Sequence, residues 1–156
     1  MPYRLPAAVV DADIANVTAL GVATGTPVAT ALGIPGEDSA GVLAGLDFLR
    51  RVRLDDPPDL AGKTVVVGGG NVAMDAARTA RRLGAARTRI VYRRGREEMP
   101  AHTAELDDAE TEGVSMDFLL APVEALAAVS GTVTGVRCRK MRLGPPDATS
   151  TGPASV

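Results

Sequence analysis

Between residues 62 and 120 the spacing of apolar positions switches between two periods, and each switch predicts an element. Residues 64–67, Thr-Val-Val-Val, are an unbroken β-branched run, the pattern of a fully buried parallel strand. After three glycines, Val72, Ala73, Ala76, Ala77, Ala80 and Leu83 fall on one helical stripe with Arg78, Arg81 and Arg82 off it. Gly84 then stands where a left-handed C-terminal cap belongs. A short loop leads to a second strand over residues 88–92. Ala104, Leu106 and Ala109 make residues 101–113 an amphipathic second crossover helix, and residues 115–120 read as a third parallel strand. Strands alternating with helices in this way predict an α/β fold built on a parallel sheet with flanking helices.

The flanks follow other patterns. Val133 lies between Thr132 and Thr134, and Val136 and Cys138 alternate with Arg137 and Arg139, with Ser130-Gly131 as turn residues. An antiparallel β-meander is therefore expected near the C-terminus. Residues 1–58 carry Pro2, Pro6, Pro27, Pro35, Pro57 and Pro58, punctuation that fits a compact fold poorly. Within them residues 9–20 predict a short helix, Ile34-Pro-Gly-Glu-Asp38 a turn, and Val42, Leu43, Leu46, Leu49 and Val52 a helix over residues 42–52. The stretch 144–156, rich in Gly, Pro, Ser and Thr, predicts a disordered tail. The expected organisation is thus a region 1–58, a compact unit 59–143 and a tail.

A chain of 156 residues has room for one ordinary domain. Its net charge of -2 gives no global pull toward nucleic acid or an anionic membrane, so neither is expected as a partner. Locally the charge is uneven: eight arginines lie from Arg78 to Arg96, and seven acids follow from Glu97 to Glu112. Most of these read as solvated faces that partly neutralise one another. A single cysteine, no bilayer-length apolar run and no evident signal peptide lead to the expectation of a cytoplasmic protein without a disulfide framework or its own iron-sulfur cluster.

The chemistry concentrates after the first strand. Gly68-Gly69-Gly70-Asn71-Val72-Ala73 fits G-x-G-x-x-G/A, placed between a strand and a helix where bare backbone N–H groups meet a pyrophosphate at the positive end of the helix dipole. This is a Rossmann-like arrangement, and alone it is also a packing motif. The end of the second strand discriminates. An NAD site usually carries Asp or Glu there for the ribose 2′-hydroxyl, whereas this chain has Arg93 and Arg94, whose guanidinium forks suit a 2′-phosphate. The expected cofactor is NADP(H).

The stretches Gly62-Lys-Thr-Val-Val-Val-Gly-Gly-Gly-Asn-Val-Ala-Met-Asp-Ala-Ala-Arg78 and Val91-Tyr-Arg-Arg-Gly-Arg-Glu-Glu-Met-Pro-Ala101, with Leu32-Gly-Ile-Pro-Gly-Glu-Asp38 and Asp47-Phe-Leu49, resemble the NADPH-binding domain of the glutamate synthase small-subunit family. That family is similar to adrenodoxin reductase and to the reductase part of dihydropyrimidine dehydrogenase. The resemblance runs, with one break, from about Tyr3 to Asp147. It implies hydride transfer from NADPH to FAD and onward electron flow to an iron-sulfur protein or large subunit. It places Gly68, Gly70, Asn71, Val72 and Ala73, with Gly69 between them, at the pyrophosphate, and Arg93 and Arg94 at the 2′-phosphate. A Glu eleven residues beyond the second Arg touches the nucleotide in adrenodoxin-reductase-like relatives. Glu105 stands at that spacing and reads equally as a surface acid on a helix.

The departures are as informative. No second G-x-G-x-x-G for FAD is present, the strand-rich segment that normally precedes Ala23-Thr-Gly25 is missing, and no last parallel strand follows Asp147. Residues 1–58 then resemble a remnant of the FAD-domain linkage with a connecting helix, and FAD is implied only through a separate FAD-binding domain or subunit. The alternative is a truncated, non-catalytic nucleotide-binding protein, a gene fragment. A single-domain NAD-linked dehydrogenase would need an acid at position 93 and a proton relay, and neither is present. His102, without a second His or Cys nearby, reads as a surface or capping residue, and Cys138 as a buried, inert thiol.

Overall fold

The computed structural model describes residues 31–60, 62–146 and 153–155. The helix expected over residues 9–20 and the Ala23-Thr-Gly25 turn lie outside the described residues. The elements run α1 (Gly45–Arg53), β1 (Lys63–Val67), α2 (Asn71–Arg82), β2 (Arg87–Val91), α3 (Thr103–Thr111), β3 (Val114–Asp117), β4 (Leu120–Ala127), β5 (Val133–Lys140), β6 (Leu143–Pro146) and β7 (Pro153–Ser155).

β1, β2 and β3 form a parallel sheet in that order, with Val66 opposite Ile90 and Ile90 opposite Met116. This cross-sheet row packs against Ala73, Met74 and Ala77 of α2 and Leu106 and Ala109 of α3, so both crossover helices lie on one face. On the outer side of α2, Phe48 of α1 meets Ala76, Ala80 and Ala85. Met74, Ile90 and Leu106 are almost wholly enclosed, and each such burial stabilises the fold by about 1.5–3 kcal/mol. The small stripe of alanines lets α2 approach both neighbours closely. α2 ends as expected: Gly84 has φ 95°, its N–H bonds to Arg81 O, and the N–H of Ala85 bonds to Ala80 O.

Several boundaries differ from the sequence pattern. β1 is not fully buried. It pairs with β2 alone among the described residues, and Val65, on the face away from the helices, is 41% exposed. Among the described residues its β-branched run therefore stands at the edge of the sheet rather than at its centre. Val72 and Leu83, the two ends of the predicted α2 stripe, are also exposed, while Met74 takes an inward place. α1 begins three residues late because Ala40 is held in extended form by Gly131 O and the N–H of Val133. β3 stops at Asp117, since Leu119 adopts φ 57° and turns the chain toward β4.

β4 and β5 form the expected antiparallel unit, a hairpin that turns at Gly131. The segment before α1 docks on it: Ala125 donates to Pro35 O and Ala40 bridges Thr132. Residues 35–38 make the expected turn. Leu143–Pro146, where disorder was expected from Gly144 onward, pairs with Pro153–Ser155 instead. The ladder has only two registered pairs, as suits a segment whose prolines cannot donate.

Candidate functional site

The glycine loop lies at the C-terminal end of β1, where ligands bind in open parallel sheets. Gly68 turns the chain at φ 140°, and its own N–H is taken up by Val91 O at 3.1 Å. Gly69 lies under Tyr92: a Cβ there would be 2.6 Å from the ring. Gly70 is the N-cap of α2 and offers no side-chain cap. The N–H groups of Gly69, Gly70, Asn71 and Val72 find no acceptor among the described residues, as is general for the first donors of a helix without a side-chain cap, and such a start is able to meet an anion.

Tyr92 couples this loop to the next. Its hydroxyl donates to Glu98 O at 2.8 Å, and the N–H of Ala101 donates to Gly69 O at 3.1 Å. The segment between carries Arg93, exposed, and Arg94, half-buried. Arg94 Nε is buried without an acceptor, and so is Glu105 Oε2, in the first turn of α3, without a donor. The two are not paired with each other. Unmatched buried polar atoms are costly and call for a ligand or solvent to satisfy them. Beside Gly68 and Arg93, a hollow of about 340 Å³ opens between β1, β2 and β4, walled by Ile34, Val67, Ala121 and Pro122.

The remaining arginines of the 78–96 stretch sort differently. Arg78 and Arg82 both bond to Glu112, Arg81 to Ala85 O, Arg89 to Asp117, and Arg96 to Asp107 and Glu110. Among the described residues only Arg87, Arg93 and Arg94 of the eight have no protein acceptor, and Arg87 sits at the opposite end of β2. Burial pushes the Glu112 carboxyl up, but hydrogen bonds and charge from Arg82 and Arg78 outweigh it and hold its pKa below the ordinary value. The Glu110 hydrogen bond raises that of Arg96.

The two single residues fall outside this arrangement. His102 is exposed and caps α3 only through its carbonyl, which accepts from Glu105 and Leu106. Cys138 is half-buried rather than buried, and burial together with the charge of Asp117 raises its pKa. Among the described residues no group of three His, Cys, Asp or Glu is placed to hold a metal ion, and no helix is long and apolar enough to cross a membrane. Sequence reasoning passed over Tyr92 and Arg96. The signal for both was their position inside the same Val-Tyr-Arg-Arg-Gly-Arg run that carries the phosphate candidates.

Residues 8–126 match the family model described as pyridine nucleotide-disulphide oxidoreductase. The chain belongs to that family. Within it, the chain is 50% identical over 129 residues to the NADP(+)-dependent formate dehydrogenase subunit beta of Moorella thermoacetica, covering 81% of this chain and 18% of that one. It is 44% identical over 137 residues to a putative glutamate synthase [NADPH] small chain of Cereibacter sphaeroides, covering 82% and 33%. The chain thus spans a third or less of the length of these curated relatives. Among solved structures it is similar to Mycobacterium tuberculosis FprA in complex with NADPH, with TM-score 0.65 and 22% identity over 86% of this chain and 45% of that one. At that identity the likeness shows the oxidoreductase fold: a parallel sheet with helices and an antiparallel hairpin.

Proposed function

We propose that this chain is a cytoplasmic NADPH-binding module of an FAD-dependent oxidoreductase of the glutamate synthase small-chain type, passing hydride from NADPH to FAD and electrons to an iron-sulfur partner. The observation that carries the reading is the pair Arg93 and Arg94, unpaired among the described residues and next to a loop with four unmatched N–H donors. The residues present fit the cofactor. Gly69, Gly70, Asn71 and Val72 would hold the pyrophosphate through backbone N–H groups, with Gly68 making the turn and Ala73 letting the helix pack close. Arg93 and Arg94 would hold the 2′-phosphate, and Glu105 would accept from a hydroxyl or amine of the nucleotide. When bound, the nicotinamide supplies the hydride. The chain's own residues bind and orient.

An FAD domain would come from sequence outside the described residues or from another subunit, since none of the described residues repeats the glycine loop. Relatives named as a dehydrogenase subunit and a small chain support a larger assembly with a partner subunit.

Calorimetry tests the reading. NADPH is expected to bind at least about tenfold more tightly than NADH, because only NADPH offers a phosphate to the arginines, and equal affinities would overturn it. The isolated chain should be colourless and should not reduce a tetrazolium dye. Adding a separately expressed FAD domain should restore some reduction, whereas intact binding with no activity would favour the non-catalytic reading.

A further inference from the structure

We propose that Arg96 is a positioning residue for the 2′-phosphate site: it ties the segment bearing Arg93 and Arg94 to α3 and contacts no nucleotide itself. The inference rests on the NADPH reading above. In the sequence Arg96 is the third arginine of one run, two residues beyond Arg94. Its surroundings set it apart. Nη1 donates to Glu110 Oε1 at 2.7 Å, and Nη2 donates to Asp107 Oδ1 at 2.7 Å and to Glu110 Oε2 at 3.1 Å. Asp107 and Glu110 are three residues apart on α3, so their side chains share a face. A planar fork can meet both at once. One positive charge between two carboxylates leaves the cluster net negative, and a phosphate approaching it would be repelled.

The placement gives this tie a consequence. The segment from Tyr92 to Ala101 is held at its ends by the Tyr92 ring on Gly69 and by the Ala101 N–H on Gly69 O, and at Arg94 by the N–H of Leu119 on its carbonyl. Between the segment and α3, the bonds of Arg96 are the only side-chain hydrogen bonds and ion pairs among the described residues, beside the apolar packing of Met99 and Ala101 with Leu106 and Ala109. Arg94 Nε lies on one side of that tie and Glu105 Oε2 on the other, both buried and unmatched. Arg96 is therefore the polar link between the two elements that carry these groups.

The test compares NADPH and NADH binding to the whole chain as wild type, Arg96→Ala, and the double variant Asp107→Ala with Glu110→Ala, which removes every side-chain oxygen on α3 that Arg96 donates to. Positioning predicts that both variants bind NADPH three- to tenfold more weakly, with NADH affinity changed less than twofold. The double variant is decisive. Removing two negative charges near a phosphate site should tighten NADPH binding if only through-space charge matters, or if Arg96 were itself a ligand newly set free. NADPH binding by the double variant as tight as wild type, or tighter, would overturn the proposal. Should Arg96→Ala fail to fold, the double variant still decides. A wild type that does not prefer NADPH would sink the NADPH reading and this inference with it. A wild-type preference kept unchanged in the double variant would sink this inference alone.

Discussion

Two pairs of arginines, eleven residues apart at their nearest members, illustrate how differently this fold uses the same side chain. Arg78 and Arg82 lie one turn apart on α2 and converge on Glu112, the residue that closes α3. Arg93 and Arg94 follow β2 and meet no acceptor among the described residues. Both pairs sit in one basic stretch, and both precede the same acidic one. The difference is which acids the topology brings within reach. α3 returns its C-terminal end to the C-terminal end of α2, so Glu112 neutralises the first pair, and its middle turns neutralise Arg96 through Asp107 and Glu110. Among the described residues nothing comparable reaches Arg93 and Arg94. The first pair serves the fold, and the second is the pair proposed for the 2′-phosphate.

That contrast breaks most visibly at the second pair. Replacing Arg93 and Arg94 together by Ala should weaken NADPH binding by about ten- to a hundredfold for each residue, less where water screens the contact. The melting temperature should stay within about 2 °C, as for surface changes that remove no protein contact. A large loss of stability with little loss of binding would reverse the assignment.

The first pair should respond the other way. Glu112→Gln is expected to cost about 1 kcal/mol, or roughly 2–4 °C in Tm, because Arg82 is well exposed and Arg78 only partly buried. NADPH affinity should be unchanged. The folded pKa of Glu112 is lowered, so its contribution is complete above the unfolded carboxylate value of about 4.3 and is lost as pH falls through the folded value. Melting curves of wild type and variant should therefore converge in acid. A gap that persists below pH 3 would show that shape rather than charge is responsible.

The smallest expected effect belongs to Arg87→Ala. Arg87 also lacks a protein acceptor among the described residues, but it opens β2 at the end of the sheet away from the glycine loop. Less than a twofold change in NADPH affinity is predicted, which calorimetry would show. A larger one would mean that an unpaired arginine anywhere on the sheet contributes by long-range attraction.

Much of the parallel unit was legible because its signals are local. The three glycines, the alanine stripe of α2, the cap at Gly84 and the arginines at the end of β2 each depend on neighbours within a turn or two. What was misread depended on distant chain. The Thr-Val-Val-Val run looks the same whether a strand has partners on one side or two, so the exposure of Val65 could not be anticipated. The pattern of Val42 and Leu43 is helical, yet the docking of Ala40 on the hairpin keeps them out of α1. Arg96 was not singled out, because the acids that hold it, Asp107 and Glu110, arrive from α3.

By itself the sequence determined the local elements: a strand, a glycine turn, a helix start and two arginines after the second strand, because backbone conformation and helix capping are governed by adjacent residues. Only the tertiary structure decided which charges stay unpaired among the described residues, because ion pairing depends on which residues thirty positions apart are brought within 3 Å, as Arg82 and Glu112 are. It likewise decided that both crossover helices cover one face and leave Val65 bare on the other. Handedness and packing make that choice for the chain as a whole.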